Sequence, residues 1–289
     1  MIHSILLRFL EPASGLLRSV MGLPASARIR ICALLLSLFL ILPVSLPPAL
    51  PAETQQRTPI LLELFTSEGC SSCPPVDTWV EGIDAAQPIP GAQVIVLGEH
   101  IDYFDHEGWK DPFSSGIFTE RQQIYANRLQ LSDIYPPQVL LDGEFVVSLD
   151  HPEQLRQTFQ KAAQAAMLSV RIESATIEKT GPGFLAGHVS VDASSAKHNG
   201  DIYIAVAIER TVTDVKAGEN QGKKLTNVSV VKSLTRVGKL EKGKDLSVRF
   251  RVKLWEGMSP DNLRVVAFVQ EPDGGIILGA TMVKGVRQE

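Results

Sequence analysis

Residues 64–75, LFTSEGCSSCPP, decide the fold, because they place two cysteines at a boundary between two predicted elements. The apolar run before them, ILLELFTS (60–67), is typical of a β-strand that is covered on both faces. Two prolines follow Cys73, and proline is favoured in the first turn of a helix. The next segment, VDTWVEGIDAA, has apolar residues at helical spacing, so we predict a strand, the cysteine pair and then a helix.

Outward from this stretch, the chain alternates between predicted strands and helices. A second buried strand, QVIVLGEH, spans residues 93–100, and helical spacing returns over residues 116–131. Asp142-Gly143 lies between two short apolar runs and indicates a two-residue hairpin turn. An Ala- and Gln-rich helix is predicted over residues 151–169. This order indicates an α/β fold with a mixed sheet.

The pattern changes after about residue 169. Seven short alternating or apolar runs follow, separated by Gly, Asn, Lys and Asp, which is typical of a β-sandwich. We therefore predict a signal peptide with an N-terminal extension over residues 1–52, an α/β domain over 53–169 and a β-sandwich-like domain over 170–289.

The N-terminus is predicted to direct export. Arg28 and Arg30 precede an apolar run of about a dozen residues, too short to cross a bilayer at about 20 residues. Cleavage near Ala52 would remove Cys32 and leave Cys70 and Cys73 as the only cysteines, with no stable membrane span. We expect a periplasmic or secreted protein, in a compartment where disulfides persist.

The net charge of −4, without a block of Lys or Arg, gives no electrostatic footprint for nucleic acid and excludes a nucleic-acid-binding protein. The composition indicates no particular oligomeric state.

The cysteine pair has the spacing of a redox site. A thiolate is stabilised at a helix N-terminus, so Cys70 is the expected attacking thiol and Cys73 the resolving one. The hydroxyls of Ser71 and Ser72 could donate to a thiolate, whereas the Glu68 carboxylate would raise the pKa of a nearby thiol. A structural disulfide, or half of a zinc site, has the same spacing and stays open.

A second group of polar residues follows the strand 93–100. Its members are His100, Asp102, Asp105 and His106, with Trp109 and Asp111 close behind. They could bind a metal, support the disulfide or contact its substrate, or serve only the loop structure. Arg121 on the next helix could hold a loop carboxylate, raise the positive potential near a thiolate or lie on the surface. In the last 120 residues, GENQG (218–222) indicates a tight turn or a contact with the first domain or a partner.

These motifs resemble two known patterns. A strand, a C-x-x-C pair at a helix start and a later proline before a hairpin resemble thioredoxin, in which a cis-proline faces the disulfide; the matching residue is Pro137, after Pro136. LFTSEGCSSCPP, HIDYFDHEGWKDPF, YPPQVLLDGE and GENQGKKLTNVSVV are similar to the exported bacterial family known as domain of unknown function 1223. The resemblance implies an α/β thioredoxin-like domain followed by an all-β sandwich-like domain. Two departures from thioredoxin are the lack of Trp before Cys70 and the presence of Pro74-Pro75 after Cys73.

The function predicted is that of an exported thiol–disulfide oxidoreductase-like protein that uses Cys70, Cys73 and Pro137. Its partners would be protein thiols or disulfides, and no cofactor or resident metal is expected. Two alternatives stay open. The first is a protein that handles copper or zinc, and the second is a non-enzymatic binding protein whose disulfide is structural.

Overall fold

The strand that precedes the cysteine pair lies inside a large mixed sheet. The computed structural model describes residues 57–178 and 183–288. The signal peptide, its cleavage near Ala52 and Cys32 lie outside the described residues. No helix in the described part is long and apolar enough to cross a membrane.

The first half of the described chain alternates strands and helices, as the pattern of apolar residues predicts. Its elements are β1 (Thr58–Thr66), α1 (Cys73–Ala86), β2 (Ala92–His100), α2 (Gly116–Leu129), β3 (Gln138–Leu141), β4 (Phe145–Val147) and α3 (Pro152–Ala163). The last helix is shorter than the prediction of 151–169.

The second half contains the seven predicted strands and two short elements. They are β5 (Ser169–Glu178), β6 (Phe184–Asp192), β7 (Gly200–Asp214), β8 (Lys224–Leu240), β9 (Leu246–Lys253), a 3-10 helix (Pro260–Asn262), β10 (Leu263–Gln270), β11 (Ile277–Lys284) and β12 (Arg287–Gln288).

Eight of these strands form one sheet in the order β11-β10-β7-β8-β2-β1-β3-β4. β1 pairs with β2 in parallel and with β3 antiparallel, so the residues after β1 lie close to the start of β3. The turn from β3 to β4 is the predicted Asp142-Gly143 turn, and both residues have positive φ, of 50° and 64°. Such a conformation favours glycine and asparagine or aspartate.

The two halves of the chain meet where β2 and β8 run in parallel, at Gly98 and Val230. β7 and β8 form a long antiparallel hairpin that continues the sheet through β10 and β11. The main chain of β8 therefore covers the edge that β2 would otherwise expose, which is a common protection for a sheet edge.

The predicted fold class, a thioredoxin-like α/β domain followed by a sandwich-like domain, is wrong. Among the described residues, 45% lie in strands and 19% lie in helices. The strands form two mixed sheets, and a thioredoxin fold is not shown. The physical reason is that strands of the second half extend the sheet of the first half. The smaller sheet, β12-β5-β6-β9, packs on that extension through an apolar cluster that includes Val189, Val206 and Val265.

The helices cover the other faces. α1 and α3 pack over β1 and β2 through residues such as Leu62, Val80 and Phe159, and α2 packs over the opposite face through Phe118 and Tyr125. The helical spacing over residues 116–131 comes from Ile117, Ile124, Leu129 and Leu131 and predicts that this face is buried. Helix α2 does not bury all of it, because Ile117 and Ile124 are 48% and 41% exposed.

Candidate functional site

The cysteine pair forms a disulfide bond at the junction between β1 and α1. Cys70 and Cys73 are linked, with their Cα atoms 5.5 Å apart, and α1 begins at Cys73. Both cysteines are buried, at 1% and 0% exposure, whereas Ser71 and Ser72 between them are exposed. The hydroxyl of Ser72 lies 3.3 Å from Cys70 Sγ. We refer to residues 67–72 as the cysteine loop.

Pro136 and Pro137 lie against this disulfide. The peptide bond between them is cis, as predicted, and the carbonyl oxygen of Pro136 is 3.8 Å from Cys70 Sγ. This proximity follows from the pairing of β1 with β3, which begins at the residue after Pro137. Tyr135, one residue earlier, is 52% exposed.

Glu68 is a buried carboxyl group two residues before Cys70. It accepts hydrogen bonds from Trp109 Nε1 at 3.1 Å and from Asn227 Nδ2 at 3.0 Å. Burial raises the pKa of Glu68, and the negative charge of Asp111 raises it further. Trp109 and Glu68, both expected to support the site, are thus in direct contact.

His100 and Asp111 form a buried pair that reaches the same loop. His100 Nδ1 lies 2.7 Å from Asp111 Oδ2, and the same carboxylate oxygen accepts the Glu68 backbone N–H at 2.8 Å. Burial opposes the imidazolium, but the Asp111 carboxylate outweighs it and raises the pKa of His100. Burial likewise opposes ionisation of Asp111, yet His100 and the backbone donors hold the Asp111 pKa below its usual value.

Asp77 and His100 line a small cavity next to α1. The cavity is about 10 Å³, close to the volume that a single water needs, and His100 Nε2 lacks a hydrogen-bond partner among the described residues. Asp77 accepts a hydrogen bond from Thr66 Oγ1 at 2.8 Å, and burial raises the pKa of Asp77 to about 7. Asp77 follows Cys73 by four residues in α1, so both lie on one face of the helix.

The side chains of Asp102 and Asp105 bond within residues 102–119 and not to the disulfide. Asp102 accepts from Thr119 Oγ1 at 2.7 Å, and Asp105 accepts from Ser114 Oγ at 2.8 Å, which are contacts that hold the loop. His106 is exposed. Within residues 57–178 and 183–288, no group of three or more His, Cys, Asp or Glu side chains is arranged to hold a metal ion.

Arg121 is buried away from this loop, in what we call the acid–arginine cluster: Glu63, Glu99, Arg121, Tyr125 and Gln270. Arg121 Nε donates to Glu63 Oε1 at 2.6 Å, and Arg121 Nη2 donates to Tyr125 Oη at 2.8 Å. Tyr125 Oη in turn donates to Glu63 Oε2 at 2.6 Å. Burial and the charge of Glu63 raise the pKa of Glu99 well above its usual value.

The GENQG stretch contacts the cysteine loop directly. Asn220 Nδ2 donates to the carbonyl oxygens of Glu68 and Cys70, at 2.8 and 2.9 Å, and Glu219 Oε2 accepts the Ser71 backbone N–H at 3.0 Å. This contact with the first half of the chain is one of the two interpretations that the GENQG pattern allows.

Sequence reasoning missed several polar residues, namely Glu63, Glu99, Asp77 and Asn227. Glu63 and Glu99 each interrupt an apolar strand that is otherwise buried on both faces, which is a recognisable signal because a buried carboxyl group needs a partner. Asp77 carries no comparable signal, since a polar residue in an amphipathic helix is ordinarily exposed.

Comparisons with known proteins agree on the fold. A protein from Agrobacterium tumefaciens has a TM-score of 0.60 and 23% identity, with 81% of this chain and 97% of that chain covered. HBP35 of Porphyromonas gingivalis has a TM-score of 0.58 and 15% identity, with 80% and 77% covered. At these identities, the likeness concerns the fold alone. No curated protein matches this chain.

One family model matches residues 61–270, and its description is "Protein of unknown function (DUF1223)". The matched segment contains the disulfide, the HIDYFDH loop, the cis-proline and the GENQG stretch. Because the match covers more than half of the chain, this protein belongs to the DUF1223 family.

Proposed function

We propose that this protein is an exported thiol–disulfide oxidoreductase whose redox pair is Cys70–Cys73. The observation that carries the proposal is the disulfide itself, which links two residues of a C-x-x-C pair where α1 begins and has the Pro136 carbonyl 3.8 Å from Cys70 Sγ. Its partners would be the thiols or disulfides of other proteins in the periplasm or outside the cell.

The chemistry is disulfide exchange through a mixed intermediate. A partner thiolate attacks Cys70 Sγ, the Sγ–Sγ bond breaks, and Cys73 leaves as a thiolate that takes up a proton. A second partner thiolate then attacks the partner sulfur of the mixed disulfide, so Cys70 leaves and the partner becomes oxidised. In the reverse direction, the Cys70 thiolate attacks a partner disulfide and displaces one partner thiolate. Cys73 then attacks Cys70 Sγ, which re-forms the Cys70–Cys73 bond and releases the other partner sulfur as a thiolate.

The surroundings support Cys70 as the attacked sulfur. Cys70 lies in the loop beside exposed Ser71 and Ser72, whereas Cys73 is the first residue of α1 and is fully buried. The Ser72 hydroxyl, 3.3 Å from Cys70 Sγ, can donate to a thiolate formed there. The 1% exposure of Cys70 requires a small local opening before a partner can reach it.

Reduction potential is the decisive measurement. The protein would be prepared with Cys32→Ser, so that only Cys70 and Cys73 titrate, and equilibrated with glutathione buffers. We expect a potential at or above about −230 mV, in the range of catalytic exchange proteins. Cys70→Ser should abolish exchange, and Cys73→Ser should accumulate a mixed disulfide with the partner.

A structural disulfide is the second candidate, and the burial of both cysteines favours it. It predicts a potential below about −300 mV and no trapped partner in the Cys73→Ser variant. That combination of results would overturn the proposed function.

A further inference from the structure

The tip of the β7–β8 hairpin, residues 215–223, is fastened to the cysteine loop although it lies far along the chain. Asn220 is completely buried, and its side-chain amide holds the carbonyl oxygens of Glu68 and Cys70 at 2.8 and 2.9 Å. Lys223 Nζ donates to Asn220 Oδ1 at 2.9 Å. Two of the three hydrogen bonds of the Asn220 side chain thus hold the backbone on either side of Gly69, and the third joins Asn220 to Lys223 within the hairpin tip.

The hairpin tip approaches the neighbouring loop as closely as its backbone permits. Gly218 has φ of +73°, and a Cβ atom there would lie 3.0 Å from the carbonyl oxygen of Glu107 and 3.1 Å from the Trp109 nitrogen. Glycine is required at such a position because of both the conformation and the space. This close approach places the next residue, Glu219, against the cysteine loop.

The carboxylate of Glu219 accepts a hydrogen bond from a backbone amide of the cysteine loop. Its Oε2 accepts the backbone N–H of Ser71 at 3.0 Å, and hydrogen bonds from Ser71 lower the pKa of Glu219, so the group is ionised. Ser71 is the residue after Cys70, so this N–H is occupied and a negative charge lies beside the loop that carries Cys70.

We propose that Glu219 and Asn220 are positioning residues that hold the cysteine loop in its disulfide form and set the disulfide–dithiol equilibrium of Cys70–Cys73. This inference rests on the proposed function for its biological meaning. Reduction by two glutathione molecules supplies two electrons and two protons, breaks the Sγ–Sγ bond and forms glutathione disulfide. Ionisation of the Cys70 thiol favours the dithiol form, and a carboxylate held on the N–H of the next residue, Ser71, disfavours that thiolate. Glu219 therefore shifts the equilibrium toward the disulfide.

Glu219→Gln tests the charge, because glutamine keeps an acceptor oxygen for the Ser71 N–H. Both proteins would carry Cys32→Ser and be equilibrated with glutathione at one pH. We expect the variant equilibrium to move toward the dithiol by roughly threefold to tenfold, and tenfold equals about 30 mV for this two-electron couple. Asp214→Asn is the matched control: an exposed carboxylate at the end of β7, whose loss changes the net charge equally and should leave the equilibrium unchanged.

Asn220→Ala tests the position. Loss of its amide should speed reduction by glutathione several-fold, while circular dichroism monitors folding. An unchanged equilibrium in Glu219→Gln, or an equal shift in Asp214→Asn, would overturn the inference.

Failure of the proposed function gives a different result. A wild-type protein that exchanges with no protein partner, but whose equilibrium still shifts in Glu219→Gln, would leave the inference standing without the oxidoreductase. A pair that stays oxidised at every glutathione or dithiothreitol ratio would overturn both.

Discussion

The buried carboxyl group of Glu99 affects how the stability of the protein depends on pH. Its carboxyl oxygens lack hydrogen-bond partners among the described residues, and Arg121 Nε is 3.5 Å from Oε1. Burial and the neighbouring Glu63 raise its pKa well above 4.5, so the folded protein keeps a proton that the unfolded chain releases. Stability therefore falls as the pH rises from the unfolded value toward the folded one.

Glu99→Gln should remove this dependence, because an amide resembles the protonated acid. Relative to the wild type, the free energy of unfolding of the variant should increase as the pH rises above about 5, by up to about 1.4 kcal/mol per pH unit. Urea unfolding over a pH series would measure it. Glu120→Gln, an exposed carboxyl on α2, is the control. Parallel pH profiles for Glu99→Gln and the wild type would contradict the prediction.

Sequence patterns predicted the features that involve residues close together in the sequence. The spacing of Cys70 and Cys73 indicated a disulfide, and the Pro136–Pro137 bond was predicted to be cis; both are confirmed. The interaction between the Glu63 and Glu99 carboxyl groups depends on the register of β1 against β2, which pairs Glu63 with Leu97. A register set by tertiary packing is not readable from either strand alone.

Helix α2 is an element whose buried face is largely polar. Its buried residues are Phe118, Arg121, Gln122, Tyr125 and Ala126. The apolar spacing predicted a different face, because that reasoning assumes that apolar side chains are the buried ones. Here the charge of Glu63 and the amide of Gln270 draw Arg121 and Tyr125 inward instead.

Arg121→Met should therefore loosen the docking of α2. The methionine retains the apolar volume but leaves Glu63 buried without its counter-charge, which costs about 3–5 kcal/mol in comparable cases. Guanidinium unfolding would measure the loss in free energy. Arg156→Met removes an exposed arginine that pairs with Glu153, and it should change stability little. Equal effects of the two substitutions would contradict the buried role of Arg121.

At the scale of the whole described molecule, the pairing of β2 with β8 joins the two halves of the chain into one sheet. A Cβ atom at Gly98 would lie 2.9 Å from the Val228 carbonyl oxygen, too close for the strands to keep their spacing. Gly98→Ala should therefore destabilise the protein by about 1–3 kcal/mol, as overpacking usually does. Thermal unfolding would measure this change.

Gly82→Ala is the control for that substitution. Gly82 lies in α1 with nothing within 4 Å of its added Cβ, so alanine there should stabilise the helix by about 0.5–1 kcal/mol. A neutral Gly98→Ala variant would show that β2 and β8 tolerate separation.

The assembly of the strands was the part that the sequence could not show. Each of the seven later runs was predicted as a strand, and each is one. Their patterns do not reveal that β8 pairs with β2, since the two lie more than a hundred residues apart and each edge is compatible with many partners. A change of pattern near residue 169 therefore indicated a separate fold that the continuous sheet contradicts.

The fastening of the cysteine loop by the hairpin tip has a consequence for the order of biosynthesis. Asn220 follows Cys70 by 150 residues. A ribosome working at about 5–20 residues per second therefore makes the two cysteines on the order of ten seconds before it makes Asn220. Any oxidant that meets the nascent chain in that interval meets a cysteine loop that Asn220 does not yet hold. Completion of the hairpin then fastens the loop, so the same two sulfurs lie in a less constrained loop in the nascent chain than in the finished protein.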